Sequence, residues 1–135
     1  MKKTMKIFMV VLSLCIAACT KDNTGGNSTA NQTEYYVKYA SDGLGGNGIY
    51  QYNVSYTDEK GEQKSFSNMT ADNFERTIGP VSVGFKASLH IWVNNSNDSR
   101  ARAARIEVKK DSNPFVVKAE NASERVGVNV SYTIE

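Results

Sequence analysis

The sequence predicts an all-β protein whose folded part is a single antiparallel β-sandwich. From Glu34 onward, apolar residues recur at every second position, which is the spacing of strands that bury one face. Short polar or glycine-containing segments separate these stretches, as turns do between paired strands. No stretch after Glu34 has the apolar spacing of an amphipathic helix.

The first half of the predicted domain contains two clear strands and one weaker strand. Inward-facing residues are Tyr35, Val37 and Tyr39 in the first strand, and Tyr50, Tyr52, Val54 and Tyr56 in the second. Residues 42–48 form a turn-rich connector, and residues 58–61 form a hairpin turn in which Gly61 supplies a positive φ. A weaker strand follows over Gln63–Met69. Residues 70–75 form either one helical turn or a loop, which leads into a short segment at 76–78.

The second half begins with the best-defined pattern of the chain. Every second residue from Val81 to Val93 is apolar, which predicts one unbroken strand after Gly79-Pro80, the longest of the domain. A tight turn is expected at residues 111–114. The inward residues of the last three strands are Ala104, Ile106 and Val108; Phe115, Val117 and Ala119; and Val126, Val128, Val130, Tyr132 and Ile134.

About 7–8 short strands in roughly a hundred residues match the size of an immunoglobulin-like β-sandwich. A small closed barrel is the alternative arrangement.

The first 18 residues have the three parts of a secretory signal: lysines, a short apolar run and small residues. The apolar run, about ten residues, is too short to cross a bilayer core of roughly 30 Å. Ile16-Ala17-Ala18-Cys19 resembles the lipobox of bacterial lipoproteins. The resemblance implies cleavage between Ala18 and Cys19, thioether lipidation of Cys19 and acylation of the new amino terminus. A plain secretory signal cleaved after Ala18 is the alternative.

Residues 19–33 are predicted to be the lipidated cysteine followed by a disordered polar tether, with the β-sandwich domain over 34–135. A flexible coil of this length reaches about 20 Å. Thr20 after Cys19 resembles the sorting pattern of outer-membrane lipoproteins. Lys21-Asp22 resembles only in part the acidic cluster of surface-exported lipoproteins of the Bacteroidota type. We therefore expect an outer-membrane location and leave the membrane face open.

Signal removal changes the charge and cysteine content. The full chain has 16 basic and 14 acidic residues. Loss of Lys2, Lys3 and Lys6 leaves 13 basic residues and a net charge of −1. The basic pI of the full chain therefore says nothing about binding to nucleic acid or to anionic membranes, and no nucleic-acid partner is expected. Cys15 leaves with the signal and Cys19 is lipidated, so no thiol is left for a disulfide, a metal or a nucleophile.

The sequence contains no recognisable catalytic set. His90 is the only histidine, it faces outward, and no Gly-x-Ser-x-Gly turn accompanies it. One histidine without a free cysteine does not suit zinc, and Asp42 with Asn47 lacks the ligand spacing of a calcium loop. The glycine-rich segment at 42–48 has no lysine and no following helix for a phosphate. We therefore expect a non-enzymatic protein with no cofactor and no metal.

Two groups of outward residues are candidate contact sites. Trp92 lies on the polar face of its strand with His90 and Lys86 in line, and it either stacks on a sugar ring or is covered by a neighbouring loop. Arg105 and Lys109 flank Glu107 in a basic cluster that also contains Arg100, Arg102 and Lys110. That cluster is either a salt-bridged strand edge or a patch for an acidic partner or an anionic glycan.

The strand layout also resembles the small mycobacterial MmpS family, in Val37-x-Tyr39, Tyr52-x-Val54-x-Tyr56-x-Asp58 with Gly61, residues 104–108 and Val130-Ser131-Tyr132. The Leu-Pro-Trp element and paired cysteines of that family are absent from this sequence. The resemblance implies a membrane-anchored β-sandwich that assists an envelope transporter. We thus expect a lipid-anchored binding module for a glycan or an envelope protein, or alternatively an accessory subunit of a transport or assembly complex.

Overall fold

The computed structural model describes residues 32–43, 51–93, 102–123 and 126–135, and within these ranges the chain forms eight β-strands. None of these residues lies in a helix that is long and apolar enough to cross a membrane. The predicted signal, Cys19 and most of the predicted tether lie outside the described residues. The strands are β1 (Tyr35–Asp42), β2 (Tyr52–Thr57), β3 (Gln63–Met69), β4 (Phe74–Val81), β5 (Lys86–Val93), β6 (Arg102–Lys110), β7 (Val116–Ser123) and β8 (Gly127–Thr133).

The strands form two four-stranded antiparallel sheets, which we call the first and the second sheet. The first sheet has the order β4-β1-β6-β7 and the second has the order β3-β2-β5-β8. The predicted β-sandwich is therefore confirmed, and the described strands do not form the alternative closed barrel. The strand order differs from that of an immunoglobulin constant domain, because β1 and β2 lie in different sheets whereas the first two strands of that domain share one.

The hydrophobic core lies between the inward faces of the two sheets. The alternation predicted for β1, β2, β5 and β6 is confirmed, since Val37, Tyr39, Val54, Leu89, Ile91 and Ile106 are all fully buried. Each such side chain contributes roughly 1.5–3 kcal/mol through removal from water. Aromatic contacts join the two sheets, because the ring of Tyr56 lies 5.3 Å from that of Tyr39 and 5.9 Å from that of Phe74.

The predicted unbroken strand from Val81 to Val93 is wrong. The chain turns after Val81, and Lys86 begins β5 in the other sheet. Gly84 adopts a φ of 87°, and the N–H of Phe85 donates to the carbonyl of Ser82 at 3.1 Å. The alternation continues through this corner because apolar residues of both sheets point into the same interior. Val83, at the corner, is 62% exposed.

Of the two alternatives predicted for residues 70–75, the loop is confirmed over 70–73, and residues 74–75 belong instead to β4, which starts at Phe74. Its partner register shifts between Tyr35 and Val37, so a bulge near the end of β4 breaks the period of two. This irregularity explains why the inward residues Phe74, Ile78 and Val81 do not alternate in the sequence. Pro80 fits within the strand because β4 is an edge strand of its sheet.

The predictions that Val117 and Val126 face inward are also wrong. Val117 is 49% exposed on the edge strand β7, where the register with β6 shifts between Ile106 and Glu107. Val126 is 40% exposed because it precedes β8 and does not pack in the sandwich. Val128 and Ile134 are buried as predicted.

Candidate functional site

The outward side of the second sheet is almost free of charge. We call it the polar face, and it consists of the outward residues of β2, β3, β5 and β8. Pairing registers place Ser55 and Asn129 on either side of His90, and Ser131 beside Ser88. Lys86 is the one formally charged side chain in the set. The members are Asn53, Ser55, Thr57, Gln63, Ser65, Lys86, Ser88, His90, Trp92, Gly127, Asn129, Ser131 and Thr133.

His90 and Trp92 form an aromatic pair on this face. Their ring centroids lie 4.8 Å apart with an interplanar angle of 25°, so the rings are stacked. His90 is exposed and Trp92 is partly buried. The sequence left open whether the indole of Trp92 is exposed or covered, and the structure shows it partly covered. The imidazole ring of His90 beside it is the more exposed member of the pair.

Gly127 of β8 provides the space beside this pair. It pairs with Trp92, and a Cβ atom at this position would lie 3.4 Å from the Cβ of Trp92 and 3.5 Å from Nε2 of His90. The same atom would lie only 3.2 Å from the carbonyl oxygen of Ile91. Gly127 thus lies in contact distance of both residues, and the tight approach at this position is to the backbone of Ile91.

A groove of about 450 Å³ lies at the Lys86 end of the polar face. A hydrogen-bond network fixes the polar groups at one side of it. The Gln63 amide donates to Oγ1 of Thr57 at 2.9 Å and to Oγ of Ser88 at 3.1 Å, and Ser55 donates to Oε1 of Gln63 at 2.9 Å. The hydroxyls of Thr57 and Ser88 lie 2.8 Å apart. The remaining lining residues include Lys86, Ser131 and Thr133.

The turn between β2 and β3 positions Gln63 through Asp58. The buried carboxylate of Asp58 accepts the N–H groups of Lys60 and Glu62 at 3.0 and 2.9 Å, and Lys64 lies 3.3 Å away. Burial would raise the pKa of Asp58, but the two N–H groups and the lysine outweigh it and hold this pKa below its ordinary value. Gly61 has the predicted positive φ, at 82°.

Arg105 and Lys109 lie on the outward side of the first sheet, so the structure does not bring them together with Trp92. Their charges already have partners within the chain. Arg105 binds the carboxylates of Asp42 and Glu107, and the ammonium group of Lys109 lies 4.7 Å from the centre of the Tyr36 ring. This arrangement matches the salt-bridged alternative, although β6 is an inner strand and not the predicted edge.

Glu107 is the centre of this charged group. Nζ of Lys38 lies 2.6 Å from Oε2 of Glu107, and Nε of Arg105 lies 3.1 Å from Oε1 of Glu107. Burial would raise the pKa of Glu107, but the two cations outweigh that effect and hold the pKa below its ordinary value. These contacts stabilise the sheet and leave little unpaired charge for a partner.

The basic cluster seen in the sequence does not form one patch. Arg102 is fully buried, because it shares the inward side of β6 with Ala104 and Ile106. Its position follows from the same alternation that places Arg105 outward. Arg100 lies outside the described residues. Arg105 and Lys109 therefore share their face with Lys38 and Glu107 and not with Arg102.

The described residues contain no group of three or more His, Cys, Asp or Glu side chains close enough to hold a metal ion. Asn47, the second residue of the calcium alternative, lies outside these residues, and Asp42 binds Arg105.

Sequence reasoning found Lys86, His90 and Trp92 but missed the groove and Gly127. The groove needs β2, β3, β5 and β8 to be neighbours, and the strand order is not readable from one sequence. The sequence did contain a signal for the polar face, since hydroxyl and amide residues occupy alternate positions of β2, β5 and β8.

Comparison of the chain with protein-family models, with curated proteins and with solved structures gave no match.

Proposed function

We propose that this protein is a lipid-anchored outer-membrane β-sandwich that binds a glycan through its polar face and performs no catalysis. One observation carries the proposal: the stacked pair of His90 and Trp92 lies on a sheet face whose other side chains, apart from Lys86, carry hydroxyl and amide groups. The lipobox at Cys19 and the polar segment after it support the anchor and the location.

The chemistry of this face suits a sugar. The C–H side of a sugar ring packs against an aromatic plane, and Trp92 gives the largest such surface on the face. The hydroxyls of a sugar exchange their water contacts for hydrogen bonds with Ser, Thr, Asn and Gln side chains, directly or through water. The network around Gln63 holds several of those groups in fixed positions, which lowers the entropy lost on binding.

The same face suits a protein partner less well. The centres of protein interfaces are usually rich in aromatic, Met and Arg anchors, and Trp92 is the one large apolar anchor of the polar face. The alternative role as an accessory subunit of an envelope transport complex rests on the MmpS resemblance. Cross-linking in intact cells tests that role, because it requires a stable integral-membrane partner.

A glycan array probed with the full-length protein in detergent tests the proposal. We expect binding to a defined glycan class, and we expect Trp92→Ala to weaken it at least tenfold, about 1.4 kcal/mol. Arg105→Ala, on the other sheet, serves as the matched control and leaves binding unchanged. Thermal unfolding of both variants checks that they are folded. Equal binding by Trp92→Ala and the wild-type protein would remove the polar face as the site.

A further inference from the structure

The groove at one end of the polar face holds a cation without a counter-charge. Lys86 lines the groove together with Thr57, Ser88, Ser131 and Thr133. Within the described part of the chain no carboxylate forms an ion pair with Lys86, in contrast to Lys38, Lys64 and Arg105. The ammonium group is thus available to a ligand that enters the groove.

The groove and the aromatic pair lie at opposite ends of β5. Lys86 and Trp92 are six residues apart on β5, which corresponds to about 20 Å along the strand. Ser88 and His90 occupy the outward positions between them. A ligand that contacts both ends is therefore an extended chain and not a single small molecule.

We infer that the ligand is an acidic oligosaccharide that lies along β5, with one sugar ring on the pair of His90 and Trp92 and a carboxylate-bearing sugar in the groove beside Lys86. This inference rests on the proposed function and adds the ligand class and its orientation. The groove volume, about 450 Å³, falls within the roughly 300–1,000 Å³ of small-molecule sites.

The two ends contribute differently to recognition. The hydroxyls of Thr57, Ser88, Ser131 and Thr133 suit the hydroxyls of any sugar, so they do not select an acid. Lys86 gives the preference for an acidic sugar, because its ammonium group attracts a carboxylate and the polar face has no other formal charge to oppose that attraction. The contribution of Lys86 is screened by salt, since the groove is open to water.

The experiment uses an array of galacturonate, glucuronate and mannuronate oligosaccharides, each beside its carboxyl-reduced counterpart, in which the acid has become a primary alcohol. Sulfated oligosaccharides form a third arm. The full-length protein in detergent should bind one acidic form at least tenfold more tightly than its reduced form, and more tightly than the sulfated forms. Lys86→Gln should bind the acidic and reduced forms alike, whereas Lys86→Arg should keep the preference.

The outcomes separate this inference from the proposed function. Equal binding of acidic and reduced forms by the wild-type protein, with both weakened by Trp92→Ala, overturns the inference and supports the glycan site. A preference that persists in Lys86→Gln also overturns it, as does tighter binding of the sulfated forms. Absence of binding to every glycan, including neutral ones, overturns the proposed function as well.

Discussion

The imidazole ring of His90 stacks on the indole ring of Trp92 with 4.8 Å between the ring centroids. The two residues are neighbours on the outward side of β5, and both pack beside Gly127 of β8. The pair offers a flat aromatic surface on a sheet face that is otherwise polar, and the proposed glycan site rests on it.

We expect Gly127→Ala to alter the surroundings of the aromatic pair. The added methyl group would lie 3.2 Å from the carbonyl oxygen of Ile91, so this backbone group must shift by a few tenths of an ångström. Its distances to Cβ of Trp92 and Nε2 of His90, 3.4 and 3.5 Å, are those of ordinary contacts, so the methyl group would fill the space beside both residues. Trp92 is the single tryptophan of the chain, and its fluorescence emission should shift. Gly84→Ala is the matched control: with a φ of 87° it costs roughly 1–2 kcal/mol of stability but should leave the emission unchanged. An identical emission spectrum for Gly127→Ala would contradict this packing.

We expect Asp58→Asn to destabilise the protein at neutral pH and much less in acid. The folded-state pKa of Asp58 lies below the ordinary value of 3.8, so its stabilisation is present above about pH 5 and is lost as the pH falls through the folded-state pKa. Thermal unfolding of the variant and the wild-type protein from pH 7 to pH 2.5 measures the difference. Glu59→Gln, an exposed neighbour in the same turn, is the control. A difference in melting temperature that stays constant across this range would show that the carboxylate is not stabilised by its N–H partners.

We expect Arg102→Ala and Arg105→Ala to have very different effects on stability. Arg102 is fully buried, so its truncation removes packing between the sheets and should cost about 2–5 kcal/mol. Arg105 is partly exposed, and the loss of its ion pairs should cost about 1 kcal/mol or less. Urea unfolding measures both values. Equal losses would contradict the assignment of these residues to opposite sides of β6.

We expect Cys19→Ala to release the protein from membranes without unfolding the domain, because the proposed anchor is a lipid on this residue. Membrane fractions are washed at high salt and probed for the protein. Cys15→Ala, within the predicted signal, is the control and should stay in the membrane fraction. Cys19→Ala that still pellets with membranes after the wash would refute lipidation as the means of attachment.

Much of the fold follows from the spacing of apolar residues. The alternation in Tyr52, Val54 and Tyr56 and in Ala104, Ile106 and Val108 predicted strands and inward faces that the structure confirms. The failures have local causes. The alternation of apolar residues continues through the corner at Gly84, so it does not reveal that the chain changes sheets there. In β4 the bulge breaks the alternation, so the pattern does not reveal a strand that is present.

The candidate site was predictable only in part, for a related reason. Outward residues of one strand can be named from its period, which is how Lys86, His90 and Trp92 were found. The groove combines Gln63 of β3, Ser88 of β5 and Ser131 of β8, and their proximity depends on strand order. The same dependence separates Arg105 from Trp92, since their strands belong to different sheets.

A fluorescence titration of the full-length protein tests the central claim most directly, because Trp92 is its own probe. The glycan that binds on the array is added while the tryptophan emission is recorded, and calorimetry gives the affinity in parallel. The account predicts a saturable change in emission whose midpoint agrees with the calorimetric affinity. Calorimetric binding of that glycan with no change in the emission of Trp92 would contradict the claim that the polar face is the binding site.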